Sequence, residues 1–407
     1  MKYRLKRYNS RLKGTVALES SKSESNRALI INALAGGKPS NIQNLSKARD
    51  TQTMLKLLGE RHQVYDVKDA GTTMRFLTAY LAIKGEEATI TGTDRMKKRP
   101  IGPLVDSLRE IGATVDYLEN DGYPPLKISV VKNQLKDHIA IPGNISSQYI
   151  SALLMIAPCL ENGLTIELTT EIYSRPYIQM TLDLMQAFDV ETTFEGKIIT
   201  VKSQKYLPTS YAIEGDWSGA SYWYSFLSLS EKKGHLNLPG IRNYSTQGDQ
   251  EISHIMYQMG IASHFESGKV KLLKRNEIKR SLSLNFRNCP DLAQTVMVTA
   301  AAKGITLEMT GLESLKIKET DRISAMRNEL KKIGSTLEEN NDQWTLTPTA
   351  ELPKSVEIET YEDHRMAMAF APLSMLMDVT INDPMVVEKS YPGFWEEVKK
   401  IGVTITG

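Results

Sequence analysis

One pattern recurs six times along this chain and limits what it can fold into. An amphipathic helical stretch closes on a short, similar ending: Leu57-Leu58-Gly59, Glu110-Ile111-Gly112, Ala187-Phe188-Asp189, Gln258-Met259-Gly260, Lys332-Ile333-Gly334 and Lys400-Ile401-Gly402. The endings fall about 70 residues apart, longer than solenoid periods. Between them lies a second kind of helix, apolar on nearly every side and so expected to be buried. It is read over 25–35, 72–83, 146–158, 218–229, 291–302 and 364–377. A turn and a short strand pattern follow each buried helix, as at 88–91 and 164–168. Further strand patterns follow most of the amphipathic helices, as at 114–118, 126–131 and 139–141. The unit reads βαβαββ, which places the chain in the α/β class.

Two irregularities set the domain organisation. The first unit is short, because the strand pattern 62–67 runs almost directly into the next buried helix. The sixth has only 403–406 as a closing strand, while strand patterns 3–8 and 15–18 are left over at the start. The economical solution lets the N-terminal strands complete the last unit. The chain then forms two halves of three units each, 21–213 and 1–20 plus 214–407.

Composition excludes several classes. The 50 basic and 48 acidic residues leave a net charge of +2, so no bulk attraction for nucleic acid follows. Two cysteines, Cys159 and Cys289, do not make a disulfide framework and fit a reducing compartment. The opening MKYRLKRYNS lacks the apolar run of a signal peptide, and the apolar stretch 152–160 is too short to span a bilayer. The expectation is a cytoplasmic protein without a membrane partner.

The chemistry collects where helices begin. Ahead of or opening the buried helices stand Lys22, Ser23 and Arg27; Arg75; Ser146, Ser147 and Gln148; Asp216 and Ser218; Asp291; and Asp363, His364 and Arg365. Ahead of the amphipathic helices stand Lys47 and Arg49; Arg95, Lys97, Lys98 and Arg99; Ser174, Arg175 and Tyr177; Arg242; Lys318-Glu319-Thr320-Asp321-Arg322; and Lys389. Helix N-termini favour anions, so the acids of the pentad suit that end and its cations do not. With one orientation per half, these N-termini gather on one face, and a crowd of cations there would trap anions. Two such faces meeting would make a cleft suited to a small molecule. Taken singly, Asp216 and Ser218 read as N-caps and Arg75 as the partner of Asp69. It is their shared placement at successive helix starts that points to a site. Neither GxGxxG, Walker A nor GxSxG is present, and the histidines and cysteines lack metal-ligand spacing. What remains is acid–base chemistry by carboxylate or lysine on anionic substrates.

Six stretches then show a family. Ser21-Lys22-Ser23-Glu24-Ser25-Asn26-Arg27-Ala28-Leu29, Asp69-Ala70-Gly71-Thr72-Thr73-Met74-Arg75, Arg99-Pro100-Ile101-Gly102, Ser146-Ser147-Gln148, Lys318-Glu319-Thr320-Asp321-Arg322 and Asp363-His364-Arg365-Met366-Ala367-Met368 resemble, in order, the signatures of the 5-enolpyruvylshikimate-3-phosphate synthase family. The resemblance implies two inside-out α/β domains, each of three βαβαββ-type repeats, joined by a two-strand hinge and closing on substrate. It implies transfer of the enolpyruvyl group of phosphoenolpyruvate to the 5-hydroxyl of shikimate 3-phosphate by a monomer, with no metal and no organic cofactor. Carried over by motif, shikimate 3-phosphate contacts fall on Ser23, Arg27, Ser146, Ser147, Gln148, Ser174, Tyr177, Asp291 and Lys318. Those to phosphoenolpyruvate fall on Lys22, Gly71 through its backbone, Arg99, Gln148, Arg322, Arg365 and Lys389. Asp291 would handle the hydroxyl proton and Glu319 the methylene proton, with Lys22 a further acid–base group. The chain departs from the family pattern at Asp69, Phe76, Ser314 and Lys316 and in the segment missing after Gly59. A relative with altered substrate, or one that binds without catalysis, is the alternative.

Overall fold

The computed structural model describes residues 1–84, 87–318, 320–349 and 351–407. The chain divides into two compact α/β units, Ser20–Ile213 and Met1–Glu19 with Glu214–Gly407.

In the unit Ser20–Ile213, three buried helices, Lys22–Leu34, Gly71–Lys84 and Ser147–Ile156, pack against one another. Their sequences dictate this, since almost no face is polar enough to meet water: in Ser147–Ile156 only Gln148 is not buried. The partner helices Arg49–Gly59, Gly102–Ile111 and Arg175–Ala187 each bury one stripe, such as Leu104, Val105, Leu108 and Ile111. Small sheets cover the outside. One runs in the order Val64–Asp66, Ala88–Thr91, Leu126–Ser129, Thr114–Tyr117, and a second Thr192–Glu195, Ile198–Val201, Leu164–Leu168, His138–Ile141. Alternation along Leu164–Leu168 turns Leu164, Ile166 and Leu168 inward and leaves Glu167 exposed, as a sheet with one wet face requires. The shortened first unit leaves only a two-stranded sheet, Ile42–Gln43 parallel to Tyr211–Ala212.

In the other unit the buried helices are Trp217–Leu229, Ala293–Lys303 and His364–Phe370. Every residue of Trp217–Leu229 is buried. Three four-stranded sheets surround them. The leading strand Lys2–Leu5 lies between Asp378–Asn382 and Ile405–Thr406, antiparallel to both, and so completes the sixth unit. The next strand, Lys13–Thr15, does not join that sheet; it pairs in parallel with His235–Pro239 of the fourth. The helix expected over 364–377 stops at Phe370 and continues as a 3-10 turn, Ala371–Met375. Pro372 supplies no N–H, and in a continued α-helix its ring would crowd the carbonyl one turn back. Pro158 does the same to the helix expected over 146–158, which gives way to the 3-10 turn Ala157–Cys159.

Candidate active site

Within Ser20–Ile213 the helix starts are bound to one another. Ser21 caps Lys22–Leu34, its hydroxyl accepting from the N–H of Glu24. Lys22 therefore stands on the first turn, with Nζ 3.3 Å from Asp50 Oδ2. The Asp50 carbonyl accepts from Thr73 Oγ1 at 3.2 Å, which ties this group to the start of Gly71–Lys84. One turn into that helix, Arg75 Nη1 donates to the Gly71 carbonyl at 3.1 Å and to Gln148 Oε1 at 3.0 Å. Gln148 Nε2 donates to Thr72 Oγ1 at 3.1 Å, beside the cap that Ser146 provides for Ser147–Ile156. The Tyr149 hydroxyl donates to the Pro100 carbonyl at 2.6 Å and steadies the segment that carries Arg99. Lys22, Gly71, Arg99, Ser146, Ser147 and Gln148 thus belong to one connected set of helix starts.

Gly71 marks a close approach of side chains to the backbone. A Cβ built there would lie 2.4 Å from Arg99 Nη1 and 2.9 Å from Arg75 Nη1. Two guanidinia therefore converge on the first residue of a helix, where backbone N–H groups have no intrahelical acceptor. Arg99 Nε is buried with no hydrogen-bond partner among the described residues. A desolvated donor of this kind costs free energy until an acceptor reaches it.

Arg27 lies deeper, only 1% exposed. Its Nε donates to Thr181 Oγ1 at 2.7 Å, Nη1 to the Ser23 carbonyl at 2.9 Å and Nη2 to Ser151 Oγ at 3.0 Å. The rings of Phe76 and Tyr177 lie 5.2 and 5.9 Å from its Cζ. Burial lowers its pKa to about 10, against a smaller upward pull from Tyr177, so it stays charged at neutral pH. Ser174 sits at a left-handed φ of 55°, immediately before Arg175–Ala187. Two departures from the family pattern are accommodated here. Phe76 is fully buried beside Arg27 without displacing the helix start at Gly71, and Asp69 pairs with Arg49 at 3.0 Å.

In the other unit the same kind of junction is built from ion pairs. Asp291 sits on the 3-10 turn Pro290–Leu292, and its side chain is 18% exposed. Its Oδ1 accepts from Arg322 Nη1 at 3.0 Å and its Oδ2 from Arg365 Nη2 at 2.8 Å. Arg322 opens the helix Arg322–Lys332, which Asp321 caps. Its Nε also donates to Asp363 Oδ2 at 2.7 Å, and Asp363 caps His364–Phe370 by accepting from the N–H of Arg365. In this unit the expected crowd of cations is thus interleaved with carboxylates, whose charges offset the cost of burying the guanidinia. Lys389, 3% exposed, ends the turn Pro384–Lys389 packed on His364–Phe370. Lys318 follows the turn Glu313–Ile317 and is half-buried. Glu319 lies outside the described residues.

Three neighbours of the site carry no role in the sequence reading. Asp50 holds Lys22. Tyr222, whose hydroxyl burial pushes up to about 12, accepts from Arg365 Nη1 at 3.3 Å. Asp249 holds the hydroxyl of Ser218, whose oxygen lies 3.5 Å from Arg365 Nη2. The signal for Asp249 is weak, a single acid in Gln247-Gly248-Asp249 ahead of an amphipathic helix. The sequence reading favours Arg242 in that stretch, where the structure shows its backbone N–H donating to Glu214.

The family model for EPSP synthase (3-phosphoshikimate 1-carboxyvinyltransferase) matches residues 6–62 and 58–398. The two matched segments meet where the first unit is short. A 3-phosphoshikimate 1-carboxyvinyltransferase of Bacteroides fragilis (strain YCH46) is 46% identical over 401 residues, covering 97% of each chain. One from Sulfurovum sp. (strain NBC37-1) is 38% identical over 422 residues, covering 96% of this chain and 97% of that one. The solved EPSP synthase of Acinetobacter baumannii superposes with a TM-score of 0.80 at 19% identity, over 100% of this chain and 99% of that one; at that identity the likeness speaks for the fold.

Proposed function

The chain belongs to the EPSP synthase family, and from that premise we propose how its own residues carry the reaction. The activity is enolpyruvyl transfer in the shikimate pathway: the 5-hydroxyl of shikimate 3-phosphate attacks C2 of phosphoenolpyruvate, C3 gains a proton, and phosphate then leaves as a proton returns from C3. Asp291 accepts the hydroxyl proton. Glu319 gives and retrieves the C3 proton, and Lys22 assists as a second acid–base group. Ser23, Arg27, Ser146, Ser147, Gln148, Ser174, Tyr177 and Lys318 bind shikimate 3-phosphate with Asp291. Lys22, the Gly71 backbone, Arg99, Gln148, Arg322, Arg365 and Lys389 bind phosphoenolpyruvate. The chain works as a cytoplasmic monomer on these small molecules, without nucleic acid or membrane.

The observation that carries this division is the setting of Asp291. It is the accessible member of a cluster in which Arg322 and Asp363 are almost wholly buried. Each of its oxygens is held by a different guanidinium, which aims the carboxylate. A phosphoenolpyruvate carboxylate arriving at Arg365 competes with Asp291 for Nη2 and so frees an oxygen to take a proton. The test is phosphate release with both substrates present, followed by identification of the enolpyruvyl ether. Release that requires both is expected; tight binding with no release would overturn the catalytic reading.

Gly71→Ala tests the anion site separately. Its methyl group would displace the Arg99 guanidinium. Alanine is no worse than glycine at this first helical position, so the melting temperature should hold. The expected outcome is a KM for phosphoenolpyruvate raised about tenfold, about 1.4 kcal/mol of binding, with kcat within a few-fold. Steady-state kinetics with phosphoenolpyruvate varied would show it.

A further inference from the structure

We propose that Asp249 is a positioning residue: through the Ser218 hydroxyl it sets the Arg365 guanidinium against Asp291. Ser218 lies in the first turn of Trp217–Leu229, beside the cap residue Asp216. Its hydroxyl donates to Asp249 Oδ2, and its oxygen lies 3.5 Å from Arg365 Nη2 as acceptor. That same Nη2 donates to Asp291 Oδ2 at 2.8 Å. A hydroxyl with its one proton committed to Asp249 turns its lone pairs toward the guanidinium. Asp249 comes from the 3-10 turn Gly248–Glu251, so the relay joins the fourth unit to helix starts of the fifth and sixth. Its second oxygen, Oδ1, is buried with no hydrogen-bond partner among the described residues.

The charges around Asp249 say which form does this work. Burial pushes its pKa up to about 7; Asp291 and Asp216 add to the rise, while Arg365 and the Ser218 hydrogen bond oppose it. Burial pushes the nearby Cys289 thiol up, and the charges of Asp249, Glu251 and Asp291 add to that rise. The neutral acid leaves Arg365 to Asp291 and to an incoming anion. The ionised acid puts a second negative charge behind the guanidinium, unpaired on Oδ1, and competes for it. A carboxyl raised above its ordinary value of about 3.9 supports folding fully below that value and loses the contribution as pH rises through about 7.

This inference rests on the enolpyruvyl-transfer reading, and the experiment separates the two. Asp249→Ala, Asp249→Asn, Ser218→Ala and the double Ser218→Ala/Asp249→Ala are made in the full chain. Their kcat/KM for phosphoenolpyruvate is measured from pH 6 to 8 beside the wild type, together with melting temperatures. Each alanine variant is expected to lose about tenfold, and the double variant no more than the worse single one, because the two act as one relay. Asp249→Asn, which keeps an acceptor and carries no charge, should stay within about threefold of wild type at pH 6. The ratio of wild type to Asp249→Asn should then fall toward pH 8, a comparison that cancels titration of the substrates. The melting temperature of Asp249→Asn should also gain on the wild type from pH 5 to 8. Additive losses, or Asp249→Asn as damaged as Asp249→Ala, would overturn the relay. A wild-type chain that releases no phosphate would sink the transfer reading instead. The melting-temperature cycle of Ser218 and Asp249 would then decide the relay alone, with additive shifts counting against it.

Discussion

Asp291→Asn lowers kcat by about 10²–10⁴ while the protein still binds both substrates, because the amide keeps the shape of the carboxylate and loses its basicity. The geometry sharpens this expectation. Asp291 Oδ1 and Oδ2 accept from Arg322 Nη1 and Arg365 Nη2. Asparagine offers one acceptor where the carboxylate offers two, so one guanidinium loses its partner on this side. Arg322 still has Asp363 at 2.7 Å, so the loss should fall on Arg365, one of the two guanidinia here that the proposed assignment gives to phosphoenolpyruvate. Pre-steady-state mixing of the variant with both substrates should show occupancy without a burst of phosphate. A variant turning over at near-normal rate would remove Asp291 from the proton transfer.

Arg322→Met should destabilise the unit that contains it by about 3–5 kcal/mol. The side chains of Arg322 and Asp363 are 2% and 0% exposed, so removing the cation strands a carboxylate that water does not reach. Methionine keeps much of the arginine stem's packing, which isolates the charge. For a unit of this size the melting temperature should fall by about 10 °C. Arg322→Lys keeps the charge but offers a single point contact and should fall between the two. Differential scanning calorimetry of the three proteins would test this; equal melting temperatures would show that the pair adds nothing.

How much of this was legible in the sequence depends on the range of the physics involved. The six repeats are legible because helix periodicity and stop residues are local. The helix after Asp321 starts at Arg322 and buries Ile323, Met326 and Leu330, as the spacing predicts, and Gly334 follows it at φ 81°. Pro372 is equally visible, yet the apolar run beyond it to Met377 reads as more helix; hydrophobicity outweighs a missing N–H. The pairing of Lys13–Thr15 with His235 to Asn237 was out of reach, since the two segments are separated by most of the chain. The same limit hides partners at the site. Sequence spacing puts Arg322 and Arg365 at helix starts, but only the fold shows that Asp291 and Asp363 are already in their grip. Asp249 is the extreme case: in one dimension it is one acid in a polar turn, and its burial sets its chemistry.

The strand Lys2–Leu5 has a consequence for the order in which the protein takes shape during synthesis. It emerges from the ribosome long before its neighbours Asp378–Asn382 and Ile405–Thr406. The stretch Ser20–Ile213 carries its own buried cluster and can collapse as soon as it clears the exit tunnel. Residues 1–19 must wait until those strands are made, trailing an unpaired edge that invites wrong pairings. Lys2, Arg4, Lys6 and Arg7 put positive charge along that edge, and like charges on two copies repel.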